Sequence, residues 1–193
     1  MRIVSWNLNH RAARRSIPAW VAESLAAARP DVAILTEYVP GPDHDRFCSE
    51  LVAIGLPSIS ISEFVKGNNS VLIASREEHH PGPMKAPPIY ESIPPNALHV
   101  VLRGSELNVL GIRIPDFSKT EFRHLKRPVW EWLLNAASEL QPTHAIIAGD
   151  LNTALGDRAA TCGDCLEKLA GSSWVHAIPQ EGSSWYSSKG GTG

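Results

Sequence analysis

Ile146-Ile147-Ala148-Gly149-Asp150-Leu151-Asn152 decides how this 193-residue chain is read. A short apolar run, predicted as a strand from His144 to Ala148, ends abruptly in a glycine, an acid and, two residues later, an amide. Two other segments share the pattern. Ile3-Val4-Ser5-Trp6 runs into Asn7 and Asn9, and the unbroken Val32-Ala33-Ile34-Leu35 stretch delivers Glu37 after Thr36. An unbroken apolar run suits a strand covered on both faces, whose polar follow-on residues emerge at its C-terminal end. Polar groups brought together at strand ends are a common way of building a site on rigid elements.

Working outward, strand-like runs alternate with helical periodicity, which argues for a layered α/β fold. Met1–Trp6 is the first predicted strand. Ser16-Ile17-Pro18 marks a helix start, and Trp20, Val21, Leu25 and Ala28 define its apolar face before Pro30 stops it. Asp31–Thr36 is a strand, residues 43–54 a helix, and Ser70–Ala74 a strand after the turn Gly67-Asn68-Asn69. Residues 79–95, with six of the 15 prolines, read as an irregular connection. Leu98–Leu102 and Leu107–Ile112 form a predicted antiparallel hairpin, which makes the sheet mixed. Ser118-Lys119-Thr120-Glu121 is a capping-box pattern. After it, Phe122, Leu125, Val129, Trp132, Ala136 and Leu140 keep helical spacing, with Pro128 implying a kink or a restart. A helix around Cys162–Ala170 and strands at Trp174–Ile178 and Ser183–Tyr186 complete the expected order.

Composition sets the outer bounds. At 21.0 kDa and 43% hydrophobic residues, the chain suits one domain, residues 1–193, with a substantial core. Eighteen basic against 20 acidic residues leave a net charge of −2, which excludes gripping a polyanion by bulk charge. No apolar run reaches the roughly 20 residues that span a bilayer, and Met1-Arg2-Ile3-Val4 enters strand-like sequence without a signal-peptide pattern. A soluble, cytoplasmic protein without a membrane partner is expected. Cys48, Cys162 and Cys165 are too few for a disulfide scaffold. Cys162-Gly163-Asp164-Cys165 has metal-like spacing but no second pair, so ordinary thiols are the reading.

Taken singly, each polar residue has a structural explanation: Asn7 and Asn9 as turn residues, Glu37 as a solvated terminus, Gly149-Asp150 as a tight turn. Together, carboxylates and amides without a histidine or cysteine cluster suit a hard, oxygen-preferring cation such as Mg2+ or Mn2+, whose usual partner is a phosphate.

Ser5-Trp6-Asn7-Leu8-Asn9, Leu35-Thr36-Glu37 and Gly149-Asp150-Leu151-Asn152, in this order, closely resemble the endonuclease/exonuclease/phosphatase superfamily, which includes exonuclease III, the abasic-site endonucleases, DNase I and the inositol polyphosphate phosphatases. The resemblance extends over essentially the whole chain. It implies a four-layer α/β sandwich with two central mixed β-sheets flanked by helices, and metal-dependent hydrolysis of a phosphoester. By position, Glu37 matches the principal metal-ligand carboxylate and Asn7 the asparagine that helps hold metal and phosphate. Asp150 matches the aspartate that activates or orients the attacking water, and Asn152 the asparagine that hydrogen-bonds the phosphate. Asn68 or Asn69 is expected to line the same groove, with Asn69, Asp116 and Trp185 read as substrate-side residues. Trp185 either stacks a base or sugar or belongs to the core.

Two departures from the family pattern stand out. In Gly111-Ile112-Arg113-Ile114-Pro115-Asp116, the slot ahead of the proline usually carries tyrosine or histidine, and here it is Arg113. Its planar fork suits developing phosphoryl charge, or it pairs with Asp116 or Glu37 as a structural ion pair. The family also finishes with two further strands that supply an aspartate and an aspartate-histidine pair. No residue here matches them, and His10, His99, His124, His144 and His176 read as surface or packing residues. A C-terminally truncated, poorly active form is therefore expected. Arg11, Arg14, Arg15, Lys119, Arg123, Lys126 and Arg127 either track a nucleic-acid backbone or form solvated faces. The leading expectation is a nuclease acting on DNA or RNA by direct water attack, with DNA the expected partner. The alternatives are a phosphatase or phospholipase-type phosphoesterase, a non-catalytic binding module on the same fold, or a fragment whose open sheet edge is covered by a neighbouring chain.

Overall fold

The computed structural model describes residues 1–9, 17–63, 69–85, 87, 96–114, 124–156 and 161–177. All seven residues of β2 (Val32–Tyr38) are buried, as the unbroken apolar run predicts. Around it stand β1 (Ile3–Asn7), β4 (Ser70–Ser75) and β3 (Ser58–Ile61), in the order β1-β2-β4-β3. β1 is parallel to β2, and the other pairings are antiparallel. The second sheet has the order β5-β6-β7-β8, from β5 (His79–Pro81), β6 (Ala97–Leu102), β7 (Asn108–Arg113) and β8 (Ala145–Asp150). There β7 and β8 form the parallel pair, and the others run antiparallel. Both sheets are mixed, and each contains a single parallel pair among the described residues.

Alternation along the strands separates two cores. On one face of the first sheet, Ala33, Leu35, Leu72 and Ala74 pack with Val21 and Leu25 of α1 (Ala19–Ala28) and Phe47 and Leu51 of α2 (His44–Ala53). On the other, Val32, Ile34, Val71 and Ile73 meet Val100, Leu102 and Val109 of the second sheet. Gly111 belongs to that inter-sheet face: a Cβ there would lie 2.9 Å from Val71 Cγ1 and 3.0 Å from Ile34 Cγ2. Its neighbours Leu110 and Ile112 therefore face away from the first sheet, yet they are equally buried. Trp130, Leu133, Ala137 and Leu140 form a buried apolar stripe along α3 (Lys126–Leu140). The layers are helix, sheet, sheet, helix.

Residues 153–193 form a second compact unit. Its described part contains α4 (Gly163–Ala170), with Cys162 at its N-cap in the left-handed region and both Cys162 and Cys165 buried as free thiols. Among the described residues, no helix is long and apolar enough to cross a membrane.

Several expectations shift in detail. Trp20 is 44% exposed, and Ala22 takes its place on the buried face of α1. Pro128 falls in the first turn of α3, where its missing N–H has no intrahelical partner to lose, so the proline marks a restart and not a kink. The buried stripe of that helix runs through Trp130 and Leu133, leaving Val129 and Trp132 half-buried. Within the proline-rich connection, His79–Pro81 is strand β5; it is an edge strand, where proline costs no ladder bond on its free side. β3 was not anticipated. Residues 174–177 carry no strand, and Val175 is 93% exposed. The expected capping box and the Ser183–Tyr186 strand lie outside the described residues.

Candidate active site

Asn7, Glu37, Arg113 and Asp150 sit at the C-terminal ends of β1, β2, β7 and β8, which form the two parallel pairs among the described residues. Strand register places Asn7 beside Thr36 and Arg113 beside Asp150. Side chains link the two sheets: Asn7 Nδ2 donates to Asp150 Oδ2 at 2.7 Å, and Arg113 pairs with Glu37. The four residues thus form a chain of contacts, Asn7 to Asp150 across the sheets, Asp150 to Arg113 by strand register, and Arg113 to Glu37 across the sheets again.

Glu37 owes its aim to a β-bulge. Between Leu35, opposite Leu72, and Tyr38, opposite Ser70, three steps on β2 span two on β4. Glu37 takes the extra position at φ 52°, a conformation that a residue with a Cβ rarely adopts. The bulge is anchored by fully buried Tyr38, which stacks on Phe47 at 6.0 Å and shares a 2.7 Å hydrogen bond with His44 Nδ1. Burial, reinforced by Cys48, Asp45 and Asp43, holds the Tyr38 phenol well above its ordinary pKa. Asn9 and Asn152 also lie in the left-handed region, at φ 54° and 46°. Backbone strain of this kind concentrates where a structure holds polar groups in fixed positions.

Asp150 is oriented through both oxygens, since Oδ1 accepts from the Asn152 backbone N–H at 3.1 Å while Oδ2 faces Asn7. Asn7 Oδ1 in turn accepts from the Asn9 N–H at 2.7 Å. Gly149 makes this turn possible: at φ 145°, a Cβ would stand 1.8 Å from the Ile112 carbonyl oxygen. Asn152 uses its side-chain amide on the Ile114 carbonyl at 2.8 Å, so one of its two N–H groups holds the loop. The backbone carbonyl of Asn152 accepts from Lys126 Nζ at 2.5 Å. Lys126 is only 6% exposed, so the solvated-face reading fails for it: it is built in beneath the Asp150–Asn152 turn.

Of the two roles open for Arg113, the structure contains the ion pair. Both Nε, at 3.0 Å, and Nη2, at 2.9 Å, reach Glu37 Oε1, with side-chain exposures of 14% and 10% for the arginine and the glutamate. Asn69 is buried immediately before β4, whose first residue Ser70 pairs with Tyr38, so it lies at the same end of the first sheet as Glu37. Asn96, which the sequence reading passed over, is its counterpart in the second sheet: 5% exposed, with a carbonyl accepting the Arg113 N–H at 2.7 Å. Its only sequence signal is an amide directly ahead of a strand. Asp116, Trp185, Asn68, Arg11, Arg14, Arg15, Lys119 and Arg123 lie outside the described residues.

The donors at this end are oxygens, from one acidic side chain in each sheet and the amide of Asn7. Among the described residues, no group of three or more histidine, cysteine, aspartate or glutamate side chains comes together. Such a set fits an ion that takes one or two carboxylates and draws its other ligands from water and substrate oxygens, as Mg2+ and Mn2+ do, and does not fit zinc. In this structure Glu37 is already paired with Arg113.

No known family profile matches the sequence, and no curated protein matches it. Solved structures do match the fold. An AP endonuclease from Archaeoglobus fulgidus superposes with a TM-score of 0.56 at 22% identity, over 80% of this chain and 58% of that one. The likeness shows a shared fold, the layered α/β sandwich with two mixed sheets that the sequence resemblance implied. Within that fold, the 3' phosphatase NExo from Neisseria, bound to a product DNA hairpin, matches with a TM-score of 0.56 at 20% identity over 81% of this chain and 60% of its own. The human Nocturnin catalytic domain, with a bound sulfate anion, matches with a TM-score of 0.55 at 16% identity over 89% and 70%. The chain therefore spans about three fifths of the AP endonuclease and of NExo.

Proposed function

We propose that this chain carries the catalytic face of a divalent-metal-dependent phosphodiester hydrolase acting on nucleic acid, with Mg2+ or Mn2+ held at Glu37 and Asn7. The observation that carries the reading is the linked set of Asn7, Asp150, Arg113 and Glu37 at four strand ends. Four strand ends hold two carboxylates, an amide and a guanidinium, linked through the Asn7–Asp150 and Glu37–Arg113 contacts and the Arg113–Asp150 register. A bound ion would supply charge neutralisation at non-bridging phosphate oxygens and at the leaving oxygen. Asp150, fixed by Asn7 and the Asn152 N–H, is the carboxylate suited to orient a water and accept its proton. Arg113 supplies a planar cation for the phosphate, and Lys126 holds the loop that carries Asn152. The DNA hairpin bound by the structurally similar NExo makes nucleic acid the first substrate class to try.

The test is cleavage of plasmid, single-stranded and duplex oligonucleotides, alongside inositol phosphate and lipid phosphodiesters, with Mg2+, Mn2+ or EDTA. Metal-dependent cleavage of nucleic acid should fall by at least about a hundredfold in both Glu37→Gln and Asp150→Asn. Full activity in Glu37→Gln would overturn the site assignment. Turnover of a lipid or inositol phosphate alone would redirect the substrate class. Nucleic-acid binding without turnover would favour the binding module.

A further inference from the structure

We infer that Arg113 is a resident cation in competition with the divalent ion for Glu37, so that metal loading requires the guanidinium to leave that carboxylate. The inference rests on the metal-dependent reading in one respect only, that Glu37 is the carboxylate the ion uses.

The geometry is specific. An arginine that reinforces a carboxylate usually does so fork to fork, with one N–H on each oxygen. Here Nε and Nη2 both converge on Glu37 Oε1, at 3.0 and 2.9 Å, concentrating the guanidinium charge on one ligand atom. The pair is largely shielded from water, so it is weakly screened, and an uncompensated charge on either partner would be costly. A divalent ion approaching Glu37 therefore meets a positive charge already in contact, and the two cations repel across a few ångströms of low-dielectric space.

The rest of the site gives the arginine somewhere to go. Arg113 is the last residue of β7 and the strand-register partner of Asp150. Its backbone is pinned by the hydrogen bond to Asn96, so a change of partner is a side-chain rotation and not a strand movement. With Glu37 taken by the ion, Asp150, the strand-register partner of Arg113, is the neighbouring acid, and a substrate phosphate would compensate the charge that Glu37 gives up. A bound phosphodiester and the metal then assist one another, and Arg113 sets the metal concentration at which the protein loads without substrate.

The experiment measures Mn2+ binding by calorimetry and paramagnetic titration on wild type, Arg113→Gln and Glu37→Gln, with thermal melts to establish that each variant is folded. Alongside, Mg2+ is titrated into 15N-labelled wild type while the Arg113 Nε–H resonance is followed. The expected result is Mn2+ affinity about fivefold or more higher in Arg113→Gln than in wild type, little binding in Glu37→Gln, and a saturable shift of the Arg113 Nε–H signal with Mg2+. Equal or weaker Mn2+ binding by Arg113→Gln, or an Arg113 signal unmoved while Mg2+ binds, would overturn the competition and leave the metal site standing. Absence of binding to both wild type and Arg113→Gln would overturn the metal reading and the competition with it. The resonance titration needs no variant, so it decides the matter even if Arg113→Gln does not fold.

Discussion

Glu37, Asp150 and Gly149 show how single residues are given chemical roles by backbone geometry. Asp150 is useful because both its oxygens are held, and that depends on a turn only glycine can make, since a Cβ on residue 149 would overlap the Ile112 carbonyl oxygen. That atom belongs to the backbone of the neighbouring strand and cannot rotate away. Gly149→Ala is expected to lose roughly 3 kcal/mol or more of stability in urea unfolding, from the clash and the unfavourable dihedral together. Any folded fraction should have misplaced Asp150. A loss below about 1 kcal/mol would mean that the β7–β8 pairing tolerates displacement that this geometry does not permit.

At the level of elements, the site is made by the parallel pairs β1–β2 and β7–β8, whose C-terminal ends are brought together by packing one sheet on the other. Gly111 is the close-approach point on β7, two residues before Arg113. In contrast to Gly149, what an added methyl would meet there are side-chain ends, Val71 Cγ1, Ile34 Cγ2 and Ile73 Cδ1, at 2.9 to 3.2 Å. Gly111→Ala is therefore expected to cost about 1–3 kcal/mol, with the fold retained. Its informative readout is activity: if sheet spacing sets the Glu37–Arg113 geometry, turnover falls further than thermal stability would suggest, and unchanged kinetics would separate the two. Lys126 makes the same point for a helix. Basic decoration of α3 was legible in sequence, but burial of this particular lysine under Asn152 follows from how the helix starts after Leu125, a matter of packing.

Over the unit formed by residues 1–152, the two sheets are also tied at the end remote from the site, by His79. Its backbone pairs with β6, while its ring bonds Ser75 of β4 at 2.6 Å and Ser60 of β3 at 2.9 Å. Ser75 spends its hydroxyl proton on the Glu77 carbonyl, so His79 Nδ1–H donates to Ser75, and the neutral ring accepts from Ser60 through Nε2. Burial depresses the His79 pKa, and it depresses that of His99 as well, whose Nδ1 accepts the Met84 N–H. In the unfolded chain both rings titrate near 6.5, so below that pH the unfolded state binds more protons and stability falls as pH falls. The melting temperature of wild type should accordingly drop between about pH 7.5 and 5.5. The drop should be shallower in His79→Gln; parallel curves for the two proteins would show that His79 is not a source of the dependence.

Much of this was legible in the chain itself because it depends on local pattern. Unbroken apolar runs predicted buried strands, the alternation of strands with helical spacing predicted an α/β layering, and an acid or amide at the end of three such runs predicted where polar groups would gather. Short edge strands were not legible: β3 and β5 hold together through pairing with distant partners, and Pro81 in β5 signals against a strand unless its edge position is known. The face of α3 was displaced because the local period does not say which residues a sheet will cover. At the site, the sequence by itself determined which residues were candidates and that their donors were oxygens. Only the tertiary structure decided that a bulge on β2 aims Glu37 and that Arg113, 76 residues away, is its partner. The physical reason is that hydrophobic periodicity is a property of neighbouring residues, whereas a bulge dihedral and a cross-sheet ion pair exist only once strand register and sheet packing are in place.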